Sequence, residues 1–68
     1  MENINRIKVV LVEQGRTGKW LARQLGKDPS TVSKWCTNVI QPSLDNLEKI
    51  AKLLGVNRKD LLNDSKQL

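Results

Sequence analysis

One stretch limits this chain more than any other: Thr17 to Trp35, TGKWLARQLGKDPSTVSKW. Leu21, Ala22 and Leu25 recur at helical spacing, and so do Val32, Trp35 and Cys36. Each half therefore carries one narrow apolar stripe. Between the stripes stand Gly26, Lys27 and Asp28-Pro29. Glycine readily takes the left-handed conformation that ends a helix. Aspartate is a strong N-cap, and proline is favoured at the first helical position. The pattern predicts that one helix stops at Gly26 and that a second begins at Asp28 and runs to about Thr37. So short a connection forces the two helices to cross steeply, as a helix-turn-helix.

With 68 residues the chain is expected to form one domain over 1–68, its core spanning about 4–62 and 63–68 forming a frayed tail. A domain this small buries only about 60% of its unfolded surface, so its apolar faces must be used efficiently. One Cys and no His exclude an internal disulfide and a zinc-ligand set. They also leave no acid–base, nucleophilic or metal constellation, so no catalytic residue, metal or cofactor is expected. GRTGK has the look of a phosphate-binding loop but fails on spacing, with Glu13 where glycine is needed and Trp20 after the lysine. No apolar run approaches the roughly 20 residues of a membrane span. Met1 onward lacks a signal-peptide pattern, so the expected setting is cytoplasmic, with no membrane partner.

The flanks supply further helices. Ile4, Ile7, Val10 and Leu11 share one face of a first helix ending near Gly15, with Met1 to Asn3 a frayed start. Val9 and Val12 fall off that face. Trp20 sits beside the main stripe of its own helix, and it is expected to cover both valines or else to anchor a partner. Thr17 is the N-cap of the second helix. Asn38 suits a positive φ just past a helix end. Ser43 caps a fourth helix with a regular stripe of Leu44, Leu47, Ile50, Ala51 and Leu54, ended by Gly55. Asp45 and Glu48 lie in its early turns, where the helix dipole favours negative charge, and do not make a catalytic pair. Asn57 caps a short fifth helix, with Asp60 completing a capping box and Leu61 and Leu62 closing the core. The expected class is all-α, a compact bundle of five short helices.

The net charge is +5, and it is unevenly placed. Between Arg16 and Gln41 stand Arg16, Lys19, Arg23, Lys27 and Lys34 against Asp28 alone, whereas residues 1–15 are balanced. A basic excess concentrated on a helix-turn-helix points to a phosphate-facing surface.

Leu21-Ala22, Leu25-Gly26, TVSKW at 31–35, Pro42-Ser43, IAKLLGV at 50–56 and DLL at 60–62 follow one another at informative spacings. Through them the chain resembles the Cro/C1-type helix-turn-helix repressor family, from about Asn5 to Leu62 without a gap. The resemblance implies a lambda-repressor-like bundle of five short helices, with the helix starting near Asp28 in the major groove of double-stranded DNA. Relatives often pair an Arg in the first helix with a Glu at the end of the recognition helix. Those positions are Leu11 and Cys36 here, and the two are expected to be buried and close together, Cys36 as a small core residue. Many relatives carry Gln where this chain has Gly18, whose backbone N–H still suits a phosphate at a helix N-terminus.

With Val32, Trp35 and Cys36 facing inward, Pro29, Ser30, Ser33 and Lys34 become the base-reading candidates. Lys34 suits O6 and N7 of guanine. Arg16, Thr17, Gly18, Lys19, Thr37, Asn38 and Gln41 are the phosphate candidates. So thin a reading set implies that DNA shape carries much of the specificity. The family usage implies a homodimer on a two-fold operator, with the fourth and fifth helices around Gly55 to Asn57 as the expected contact. Two other readings stand beside this one: an antitoxin-type module that binds a toxin protein and represses its own operon, and a non-specific architectural protein.

Overall fold

The computed structural model describes residues 4–63. Helix α1 spans Ile7–Glu13, α2 Gly18–Leu25, α3 Pro29–Cys36 and α4 Leu44–Leu54. Local capping chemistry sets the starts of α2, α3 and α4 and the ends of α2 and α4. Thr17 Oγ1 accepts the Trp20 N–H at 3.0 Å, Asp28 Oδ1 the Ser30 N–H at 2.9 Å, and Ser43 Oγ the Asn46 N–H at 3.2 Å. Each bond satisfies a donor that the first helical turn leaves unpaired. Gly26 and Gly55 end α2 and α4 at φ 67° and 68°.

The class is all-helical, as expected, but the count of five α-helices is not met. The last element, Arg58–Leu61, is a 3₁₀ helix. Asp60 Oδ2 accepts the Asn57 N–H at 3.0 Å, as a capping box requires. The chain must then straighten at once, because Leu62 forms an antiparallel bridge with Asn5. The Arg6 N–H donates to the Leu61 carbonyl at 2.7 Å and the Asn63 N–H to the Ile4 carbonyl at 2.8 Å.

That pairing corrects two expectations. Ile4 does not head the stripe of α1: it is held in the extended segment and is 54% exposed. Asn63 belongs to the fold rather than to a tail. The rest of the expected frayed ends, 1–3 and 64–68, lies outside the described residues.

Ile7, Leu11, Leu21, Val32, Ile50 and Leu61 are fully buried, and Val10, Ala22, Trp35, Leu47, Ala51 and Leu54 complete the core. Helix α2 packs against α3 and α4, α1 against α3, and the 3₁₀ helix against α4. Leu44, expected in the stripe of α4, is exposed, since it opens the helix one turn before the buried positions begin. Val9 and Val12 are also exposed, so Trp20 does not cover them; it is half-buried against the core from α2. Among the described residues, no helix is long and apolar enough to cross a membrane.

A polar cluster joins the N-terminal segment to the end of α3. Asn5 is 3% exposed and its side chain is fully used. Its Nδ2 donates to the Trp35 carbonyl at 2.9 Å and to Gln41 Oε1 at 2.8 Å, while its Oδ1 accepts the Ile7 N–H at 3.0 Å. Asn38 answers from the other side at φ 63°, as its tolerance of positive φ predicted. Its Oδ1 accepts the Ile4 and Asn5 N–H groups at 2.9 and 2.8 Å. A buried polar pair of this kind is stable only when every group finds a partner, and here they do.

Candidate nucleic-acid interface

Helix α3 is fixed from behind. Val32 and Trp35 are buried, which turns Pro29, Ser30, Ser33 and Lys34 outward, and all four are exposed. Polar side chains on a short helix that is locked in rotation can present a defined pattern to a ligand. Ser30 has one commitment: its Oγ donates to Asp28 Oδ1 at 3.0 Å. The Ser30 backbone N–H, the Ser30 hydroxyl and the Lys34 ammonium, in that order of effect against slight desolvation, hold the Asp28 carboxyl below its ordinary value of 3.8. Thr37 Oγ1 donates to the Ser33 carbonyl at 3.0 Å, so its hydroxyl is tethered to the helix it follows.

Between α1, the start of α2 and α3 runs an open groove of about 610 Å³. Arg16, Thr17, Gly18, Lys19, Pro29, Ser30, Ser33 and Thr37 all line it, so most of the sequence-derived candidates meet on one surface. Lys34 is not part of the lining and projects from the exposed side of α3. Arg16 lies over the Trp20 ring, its guanidinium carbon 4.4 Å from the centroid, which holds the cation beside the groove. The basic rim is unopposed: among the described residues the ion pair is Arg58–Glu48 at 3.2 Å, between the 3₁₀ helix and α4.

Asn38 and Gln41 have another task. Asn38 is nearly buried, and both polar ends of its side chain serve Ile4, Asn5 and Gln41. Gln41 Oε1 accepts from Asn5, and its Nε2 donates to Asn38 Oδ1 at 3.2 Å. Both side chains are spent on holding the end of α3, which competes with their expected use on phosphate.

Lys8 was missed by the sequence reading. It lines the groove from α1 beside Leu11 and Cys36. The signal was present: Lys8 is three residues before Leu11, on the same side of the helix. Leu11 and Cys36 do meet at this groove, Leu11 buried and Cys36 only half-buried. Burial pushes the Cys36 thiol above its ordinary value, and the nearby Lys8 charge offsets part of that. Among the described residues no group of three His, Cys, Asp or Glu side chains is placed to hold a metal ion.

Comparison with known proteins agrees with this geometry. A helix-turn-helix family profile matches residues 7–61. A solved structure from Bacteroides fragilis, provisionally described as a DNA-binding protein, is 57% identical with a TM-score of 0.86, covering 88% of this chain and 97% of its own. A hypothetical transcription factor from Neisseria, NHTF, is 32% identical with a TM-score of 0.77, covering 91% of this chain and 71% of its own. No protein of curated function matched.

Proposed function

The chain belongs to the Cro/C1-type helix-turn-helix family, and we propose that it is a cytoplasmic, sequence-specific regulator of transcription that represses by occupying promoter DNA. The observation that carries this reading is the outward polar face of α3, locked by Val32 and Trp35 and set in an unpaired basic surround. The α3 helix enters the major groove. Lys34 donates to a guanine edge, Ser30 and Ser33 add weaker polar contacts, and Pro29 offers apolar contact to a thymine methyl. Arg16, Thr17, Lys19 and Thr37, with the Gly18 backbone N–H and Lys8, set the register on phosphates. Asn38 and Gln41 contribute by fixing the end of α3.

One such domain has a small footprint, about 600–1,000 Å². The functional unit is therefore a homodimer, with half-sites about 10 base pairs apart. The test is selection of bound duplexes from a randomised DNA pool at near-physiological salt. A palindromic motif with that spacing is the expected result. Enrichment without any motif would indicate architectural binding, and no enrichment would refute DNA binding as the function. In the antitoxin reading Trp20, if exposed, is the anchor for the toxin. Trp20 is half-buried beneath Arg16, which weakens that reading.

A further inference from the structure

The groove beside α3 has a feature that a phosphate surface does not need. Lys8, Arg16 and Lys19 line it, and so do the apolar side chains of Leu11, Val12 and Cys36. A sugar–phosphate backbone uses the charges and leaves the apolar lining unmatched. Gly18 lines the trough without a side chain of its own, and a Cβ placed there would meet only Val32 Cγ1, at 3.9 Å. Val12 adds to the mismatch, a valine 66% exposed inside a cationic surround. The volume of about 610 Å³ falls within the range of small-ligand sites, and no carboxylate lines the groove.

Cations and apolar side chains lining one trough fit one chemical class, a small amphipathic carboxylate with its head on the cations and its hydrocarbon on the apolar side chains. We propose that the groove between α1 and α3 is an effector site for such a carboxylate, and that its occupant and DNA exclude each other. The exclusion rests on the proposed DNA-binding function, because Lys8, Arg16 and Lys19 serve both ligands. The site itself does not.

The full chain, labelled with ¹⁵N, is titrated with decanoate below its micellar concentration. Saturable amide shifts centred on Leu11, Val12, Gly18 and Cys36 are expected. Octanoate and hexanoate bind progressively more weakly, by up to about fourfold per methylene removed. Decylammonium binds more weakly by about fivefold or more. Val12→Glu, at an exposed position that leaves the fold intact, brings a carboxylate to the groove and weakens decanoate to a similar extent. No saturable shift, shifts centred elsewhere, or indifference to head charge and to Val12→Glu would overturn the site. In parallel, decanoate is added to a complex with selected DNA and followed by fluorescence anisotropy. Displacement supports the exclusion, and an unchanged DNA affinity at saturating decanoate overturns it. Should no DNA bind, the proposed function and the exclusion fail together, while the amide titration still decides the site.

Discussion

Replacing Asn38 with alanine tests how the end of α3 is held. The native side chain accepts from Ile4 N at 2.9 Å, Asn5 N at 2.8 Å and Gln41 Nε2 at 3.2 Å, and it donates to the Asn5 carbonyl at 3.2 Å. Alanine removes all four bonds. The Ile4 N–H lies in an exposed residue and regains water, but the Asn5 N–H is buried and is stranded, at a cost of about 1–3 kcal/mol. Alanine at φ 63° adds roughly 1 kcal/mol, because it keeps the Cβ that strains the left-handed region but loses the short polar side chain that offsets that strain in asparagine. The total is about 2–4 kcal/mol, in a domain whose whole stability is on the order of 3–10 kcal/mol. Thermal unfolding monitored by circular dichroism should show Tm falling by about 10–30 °C. Asn38→Gly removes the same hydrogen bonds but suits the backbone, so it should recover about 0.5–1 kcal/mol relative to alanine. Urea titrations then rank wild type above glycine and glycine above alanine. An alanine variant within about 0.5 kcal/mol of wild type would refute the buried-donor argument. A glycine variant no more stable than alanine would refute the conformational one.

Four further outcomes are expected. Lys34→Ala should relax preference at one base pair by about 1–3 kcal/mol, read by selection against the wild-type motif. Lys8→Ala should weaken binding to all sequences about equally and lower the slope of log affinity against log salt by about one. Asp28 has a depressed folded pKa, so its stabilising effect is complete above its ordinary value of 3.8 and is lost as pH falls through the lower folded one. Asp28→Asn keeps an N-cap but should flatten the acid limb of stability against pH, measured by urea titration from about pH 5 downward. Cys36, with its thiol pKa raised by burial, should alkylate more slowly with iodoacetamide at neutral pH than a free cysteine does; equal rates would contradict its half-buried place.

What was legible in the sequence was local. Thr17, Asp28-Pro29, Ser43, Gly26 and Gly55 act within a turn of where they stand, so capping chemistry alone located α2, α3 and α4. The stripes of α2, α3 and α4 found most of the core by the same logic. Periodicity gives spacing but not where a helix starts, which is why Ile4 and Leu44 were placed on the core face and are exposed. The polar centre was hidden for a different reason. Asn5, Asn38 and Gln41 meet only after the chain has folded, across more than thirty residues of sequence. The residue type of Asn38 predicts its backbone conformation, but not that its side chain bonds to Asn5. Composition places the basic charge on the helix-turn-helix, but Lys8, which lines the same groove, stands in a segment whose charges cancel.

The pairing of Ile4 and Asn5 with Leu62 and Asn63 turns the described chain into a closed ring. Closing a loop of nearly the whole chain costs entropy that contacts between successive helices do not. The topology predicts that those neighbouring contacts form first and that the ring shuts last. The last contact to form is also among the first to open in the native state. Because Asn5 holds the Trp35 carbonyl, each opening of the ring loosens the C-terminal end of α3 while α2 and the start of α3 stay assembled. Native-state hydrogen exchange should therefore find the Arg6 and Asn63 amides exchanging ahead of those in α2. The helix that faces outward thus has one rigid end and one end whose order depends on the two termini of the fold staying joined.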